Sequence, residues 1–411
     1  MRAKLSRIKK DIETLATYTS TPSSGVTRLP FTPEDKKARE YIKEQMINSG
    51  LKVRVDGVGT IIGRREGTKP NAPVIMLGSH YDSVKNGGAF DGTAGLVAAL
   101  EVVRVLNSED ITTKYPIEVV AMNDEEGVRF KGGMLSSRAI IGEVTDEELD
   151  TSIDEDGISI KQAMVEFGIK PNLHEAKYQK GAIKAFMELH IEQGPILEAN
   201  KKEIGIVKSI VGLSTYKVNM VGRAGHAGTT PMDLRVDALL AASKAIIELN
   251  TIVKETGGDT VGTVGELQVQ PSVANVIPGT VEFTIDVRSS VEGKIREVIR
   301  KFEKVLKKIE NSSGVKSSLK ETFYAPPVVL SEMIINQMKD EVSSLGYRSI
   351  CMDSGAGHDA MVMAEHAPTG MIFVPSKNGI SHTQEEWTDY EDIQKGAEVL
   401  FNTVIALNNN D

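Results

Sequence analysis

With 411 residues, 40% of them hydrophobic and 26% charged, the chain has the composition of a globular protein long enough for two domains. Its 57 acidic against 48 basic residues leave a net charge of −9, which argues against nucleic acid or an anionic membrane surface as partner but not against a small anionic substrate in a locally basic pocket. The single cysteine, Cys351, excludes an intramolecular disulfide framework, fits a reducing compartment, and is expected as a small buried side chain.

The chain opens on MRAKLSRIKKDIETLATY, which is basic and amphipathic but lacks the apolar core and cleavage site of a signal peptide. No stretch approaches 18 uncharged apolar residues, so no membrane span and a cytoplasmic location are expected. After a turn-rich loop, 19–28, the run Thr32-Pro33-Glu34-Asp35 is a strong helix start, and Gly50 stops that helix. Residues 51–62 alternate like a strand. The run Val74-Ile75-Met76-Leu77 reads as a buried strand that ends at His80 and Asp82. A loop with Gly87-Gly88 follows, and then Asp91, which stands where the N-cap of a helix over 94–107 belongs. A second buried strand, 117–122, runs into Asn123-Asp124-Glu125-Glu126-Gly127, and a third, 185–189, into His190 and Glu192-Gln193-Gly194-Pro195.

Between 211 and 324 the texture changes to alternating strands (216–220, 262–269, 279–287 and one beyond Val315) and two helices (234–249 and 295–309). The order β-α-β-β-α-β suggests a ferredoxin-like insertion whose open sheet edge can carry a dimer contact. The chain returns through a helix at 331–345, the loop Ser354-Gly355-Ala356-Gly357-His358-Asp359, and a strand at 370–374 whose following loop carries His382. Domain boundaries are therefore expected at 1–210, 211–327 and 328–411, the first and last segments making one α/β domain with a mixed, largely parallel sheet.

Four apolar strands thus deliver His, Asp or Glu at their carboxyl ends, which share one edge in a largely parallel sheet. Three of the seven histidines, His80, His190 and His382, fall there. With Asp91 and Glu126 they make a ligand set for a pair of divalent cations, provided one carboxylate bridges. Asp91, at a helix start among small residues, is the expected bridge; His80 and His190 complete one ion, Glu126 and His382 the other. Water held between two such ions loses a proton near neutral pH and attacks an unreactive carbonyl. Glu125, beside a ligand but free itself, is placed to take that proton and pass it to a leaving nitrogen, and Asp82 to orient the His80 imidazole.

The stretches GSHYDSVKNGGAFDG, NDEEGVRF, ELHIEQGP, GHAGTTPM, NVIPGTVEFTIDVR, SGAGHDA and MIFVPSKNGISH together resemble the dinuclear amidohydrolases that cleave N-carbamoyl amino acids, ureidopropionate and allantoate, within the aminoacylase and carboxypeptidase-like zinc hydrolases. The resemblance covers nearly the whole chain. It implies a zinc-peptidase-like catalytic domain, an inserted lid that dimerises, and zinc, manganese or cobalt as metal. His80, Asp91, Glu126, His190 and His382 match the family's ligand positions and Glu125 its acid/base. It also implies substrate roles for Gln193, His226, Asn275, Arg288, Gly357 and His358. A guanidinium at 288 suits bidentate pairing with a carboxylate, and His226 is placed to stabilise the oxyanion. His174 and His366 match nothing and are expected to be structural.

Two departures from the family pattern stand beside the substrate position that the resemblance implies: Gly225 where Asn commonly precedes the lid histidine, and Thr383-Gln384 where Pro commonly follows the last ligand. Neither removes a ligand. The expected activity is hydrolysis of the ureido C–N bond of an N-carbamoyl-L-amino acid, yielding the amino acid, ammonia and carbon dioxide, with lid closure excluding water. Allantoate deimination is the nearest alternative, and the stretch 131–138 (KGGMLSSR) leans toward carbamoylases. A dipeptidase or aminoacylase is the next.

Overall fold

The computed structural model describes residues 2–409, which form two compact units, one built from the chain up to Lys208 and from Val329 onward, the other from Ser209–Val328. In the first unit the strands at the centre of the sheet are Ile117–Met122, Val74–His80, Ile183–Ile191 and Thr369–Val374, in that order and all parallel. Antiparallel strands flank them: Lys52–Val55 and Ile61–Arg65 on one side, Ile204–Ile210 on the other. Every residue of Val74–His80, Ile117–Met122 and Thr369–Val374 is buried, as a sheet covered on both faces requires, which is why these strands read as continuous apolar runs. Helix Thr93–Ser108 lies on the central strands, and helix Tyr390–Asn409 packs on it. Register places His80 opposite Met122 and His190 opposite Phe373, so the carboxyl ends of all four parallel strands open on one edge.

The second unit is an antiparallel sheet in the order Leu267–Gln270, Thr280–Ser289, Gly212–Val221, Lys316–Ala325, with Val261–Thr263 also on Thr280–Ser289. Thr280–Ser289 alternates strictly, burying Val281, Phe283, Ile285 and Val287 against helices Ala238–Thr256 and Glu292–Ser313. That is the topology of the ferredoxin-like motif. A separate two-residue ladder pairs Gly225–His226 with Val276–Ile277.

Three sequence expectations need correction. The stretch 51–62 is not one strand but the whole of Lys52–Val55, a turn, and the start of Ile61–Arg65; Asp56 accepts from the N–H of Val58 (3.0 Å) and Thr60 (2.9 Å), an Asx turn that reverses the chain. The stretch 262–269 is likewise broken, into Val261–Thr263 and Leu267–Gln270; between them Glu266 donates its N–H to the Thr284 hydroxyl (3.2 Å) and its carbonyl accepts from Thr284 N–H (3.2 Å). Cys351 is exposed, not buried, since its strand, Ser349–Ser354, lies beside Ile204–Ile210 with alternate side chains turned to solvent. Among the described residues no helix is long and apolar enough to cross a membrane.

Candidate metal centre

The open edge of the parallel strands gathers five side chains that can ligate metal. His80 is the last residue of its strand, His190 the penultimate residue of Ile183–Ile191, Glu126 follows Ile117–Met122, and His382 follows Thr369–Val374. Asp91 comes from the loop before helix Thr93–Ser108, but it is not the N-cap: that position is Gly92, and no side chain caps this helix. The Asp91 carbonyl accepts from Thr93 N–H (2.5 Å) while its carboxylate turns toward the histidines. Gly92 makes this possible. Its φ is 59° and a Cβ there would lie 2.5 Å from the His80 ring, so only glycine lets the loop pass over the imidazole.

Asp91 Oδ1 lies 3.0 Å from His190 Nε2 and 3.4 Å from His80 Nε2, and the two Nε2 atoms are 3.5 Å apart. Asp91 Oδ2 lies 3.2 Å from His382 Nε2, which is 3.8 Å from Glu126 Oε2. Two ligands at zinc distances and a tetrahedral angle sit about 3.3 Å apart, so the His80–His190–Asp91 triangle has the spacing of a cation's ligand shell. Each oxygen of Asp91 faces a different set. His80 and His190 present Nε2 because each Nδ1 is engaged by a main-chain carbonyl, that of Asp82 (3.1 Å) and that of Ile191 (2.9 Å). Glu126 Oε1 and Gln193 Oε1 are buried with no hydrogen-bond partner among the described residues, the condition a bound cation or its water relieves. The donor set therefore fits divalent metal. A further grouping, Glu188 with His190 and His358, is less open to metal: Ser79 Oγ (2.6 Å) and Ala360 N–H (3.0 Å) occupy Glu188, and Ser354 Oγ (2.9 Å) occupies His358 Nε2.

Asp82 touches His80 chiefly through its carbonyl; its carboxylate is 3.7 Å from Nδ1 and accepts instead from Glu125 N–H (3.1 Å) and Glu126 N–H (3.2 Å). It thereby fixes the turn that aims both glutamates. Glu125 Oε2 stands 4.0 Å from His80 Nε2. Burial, and the Glu126 charge against the pull of His80, raise the Glu125 carboxyl well above the ordinary range, which suits a group that must take and return a proton near neutrality.

In the same unit Gln193 Nε2 bonds Asp91 Oδ2 (2.9 Å) and His382 Nε2 (3.2 Å), placing it at the centre. His358 is buried against His190, ring centroids 4.5 Å apart, and burial followed by the His190 charge drives its pKa well below the usual value, so it is neutral. Gly357 beside it is exposed. In the other unit His226 Nδ1 accepts from the N–H of Gly228 (3.1 Å) and Thr229 (3.3 Å), which leaves Nε2–H as an outward donor. Asn275 is brought beside it by the short ladder, its carbonyl accepting from Ala227 N–H (3.0 Å). Arg288 is paired in its own strand with Asp286, Nε to Oδ1 2.9 Å and Nη2 to Oδ2 3.1 Å.

Sequence reasoning passed over Glu188, Ser381 and Glu386. Glu188 had a signal, since it stands two residues before His190 and so on the same strand face. Glu386 had none: Glu385-Glu386 after a loop histidine reads as surface charge.

The titration of these groups has a consequence for the metal-free protein. Burial, then the Asp91 charge, push the Glu126 carboxyl up to about 7. Burial, then Glu188, push Asp359 up to about 7. The hydrogen bond His382 donates to the Asp91 carboxylate holds its pKa up to about 9. A raised carboxyl keeps in the folded state a proton that the unfolded chain has released, so its contribution falls as pH climbs from the ordinary carboxyl range to about 7. A raised histidine loses its contribution as pH climbs from 6.5 to about 9. Asp91, held well below 3.8 by His190, His382 and His80 despite burial, acts only in stronger acid. Metal binding, which needs deprotonated ligands, strengthens over the same rise. We expect the Tm gap between manganese-loaded and chelator-stripped protein to widen from about pH 5.5 to about pH 8 by scanning calorimetry; a gap that narrows contradicts this.

Residues 76–406 match the model of Peptidase family M20/M25/M40. The chain is 46% identical to an N-carbamoyl-L-amino-acid amidohydrolase of Paenarthrobacter aurescens, over 99% of this chain and 98% of that one. It is 35% identical to an allantoate amidohydrolase of Bacillus subtilis, over 96% of each. Among solved structures, a hydantoinase/carbamoylase-family amidase from Burkholderia multivorans superposes with a TM-score of 0.94 at 36% identity, covering 98% of each chain.

Proposed function

This chain belongs to Peptidase family M20/M25/M40, and from that membership we propose that it is a metal-dependent amidohydrolase cleaving the ureido C–N bond of an N-carbamoyl-L-amino acid. The observation that carries the reading is Asp91, with one oxygen toward His80 and His190 and the other toward His382. That arrangement would let His80, His190, Asp91, Glu126 and His382 hold two divalent cations, zinc, manganese or cobalt.

Bound there, such cations supply an acidified water and a Lewis acid for the substrate carbonyl. The residues do the rest. Glu125 Oε2 takes the water's proton and delivers it to the leaving nitrogen, while Asp82 holds the turn that aims it. We assign the oxyanion to the Nε2–H of His226 and the substrate carboxylate to Arg288, and propose further substrate-binding roles for Gln193, Asn275, Gly357 and His358. Water and the ureido acid give the amino acid, ammonia and carbon dioxide. We further assign the chain to the cytoplasm and to a homodimer formed through 211–327, the first supported by its single cysteine and the second by the open edge strand Lys316–Ala325.

The Bacillus subtilis relative keeps allantoate deimination as the second reading. Ammonia release by the manganese-loaded protein, assayed against N-carbamoyl-L-amino acids, allantoate and a dipeptide, tests the assignment. We expect turnover of an N-carbamoyl-L-amino acid with stoichiometric ammonia. Preference for allantoate transfers the chain to the second reading, and dipeptide cleavage without ammonia overturns both.

A further inference from the structure

Asp82 steadies its side of the metal centre by accepting two consecutive main-chain N–H groups, the second belonging to a ligand residue, Glu126. The device recurs on the other side. Glu386 Oε1 accepts from Phe90 N–H (3.0 Å) and Asp91 N–H (3.1 Å), again two consecutive donors of which the second belongs to a ligand residue. Its Oε2 accepts from Ser381 Oγ (2.7 Å), the residue before His382, and that hydroxyl is 3.3 Å from Asp91 Oδ2. Glu386 is 4% exposed. Gly88 is shaped around it: a Cβ there would overlap the Glu386 carboxylate. One buried carboxylate therefore clips the Asp91 loop to the His382 loop, two segments nearly three hundred residues apart in the chain.

We propose that Glu386 is a positioning residue that holds Asp91 Oδ2 and His382 Nε2 together, and hence sets the affinity of the cation bound by Asp91, Glu126 and His382. It makes no hydrogen bond to His80 or His190, whose rings are oriented by the carbonyls of Asp82 and Ile191, and reaches them only through the Asp91 loop. The inference rests on the two-cation reading above. Its chemistry requires an acceptor of glutamate length, not a negative charge. In Glu386→Gln the amide oxygen still accepts both main-chain N–H groups and the amide N–H donates to Ser381 Oγ. Glu386→Asp keeps the charge but is shorter by one carbon–carbon bond, about 1.5 Å, and cannot reach both loops.

The test is manganese and zinc stoichiometry and affinity by titration calorimetry on the full-length chelator-stripped protein, for wild type, Glu386→Gln, Glu386→Asp and Glu386→Ala. Wild type should bind two cations. Glu386→Gln should bind both within about threefold of wild type, while Glu386→Asp and Glu386→Ala should bind one roughly 10–100-fold more weakly and the other with a clearly smaller loss. If Glu386→Ala fails to fold, the Gln and Asp pair still decides. Both cations held normally by Glu386→Asp overturn the proposal, as does a Gln variant as weak as Asp. A wild type that binds fewer than two cations fails at the earlier step, the two-cation reading, and takes this proposal with it.

Discussion

Replacing Glu125 by Gln should lower kcat by roughly 10²–10⁴-fold and leave KM and metal content within about threefold of wild type. The substitution is isosteric and the main chain at 125 still donates to Asp82, so the turn that carries Glu126 is undisturbed. What disappears is an oxygen able to accept a proton. The Glu125 carboxyl is raised well above its ordinary range, first by burial and then, against His80, by Glu126. A neutral amide in the same place has no such titration, so the residual activity of the variant should also lose the acidic limb that Glu125 contributes to the wild-type rate profile. Ammonia release in single-turnover and steady-state mode, with metal content by mass spectrometry, reads all three quantities. A variant that loses metal together with rate would make Glu125 a ligand, and one that keeps its rate would remove it from the chemistry.

Sequence and structure agree, for a physical reason, on where the strand-end residues lie. Parallel strands buried on both faces are continuous apolar runs, so Val74–His80, Ile117–Met122, Ile183–Ile191 and Thr369–Val374 announce themselves, and a polar residue at the end of such a run has only the sheet edge to occupy. His80, Glu126, His190 and His382 were legible on that ground. Asp91 was legible as a site residue but not in its local role, because an Asp before a helix reads as a cap, and only the left-handed φ of Gly92 shows the helix beginning one residue later. Asp82 and Glu386 show what periodicity cannot carry. Both act by accepting main-chain N–H groups from segments distant in sequence, and an acceptor for a backbone donor leaves no residue-type signature at the donor's end. Cys351 fails for the opposite reason, since composition places cysteines inside while its strand happens to turn it outward.

Asp91→Ala should be the most damaging single substitution in the molecule for metal binding, abolishing detectable turnover and reducing both cations to weak, readily dialysed binding. On the two-cation proposal every other ligand would serve one cation, whereas Asp91 turns Oδ1 to the set of His80 and His190 (3.4 and 3.0 Å) and Oδ2 to the set of His382 (3.2 Å). His382→Ala therefore provides the control: it should lose one cation and retain the other on His80, His190 and Asp91. Asp91→Asn separates geometry from charge, because its single carbonyl oxygen can serve one set while the amide nitrogen, a donor, faces the other. One cation should remain in Asn and none in Ala. Folding must be checked alongside, since the Asp91 carboxylate also accepts from Gln193 Nε2 (2.9 Å) and balances buried imidazoles, and leaving a buried partner unpaired costs about 3–5 kcal/mol. Far-ultraviolet dichroism and the Tm of each chelator-stripped variant supply that check. Equal cation loss in His382→Ala and Asp91→Ala would mean that the two sets are not joined through Asp91, and two tightly held cations in Asp91→Ala would remove the bridging carboxylate from the mechanism altogether.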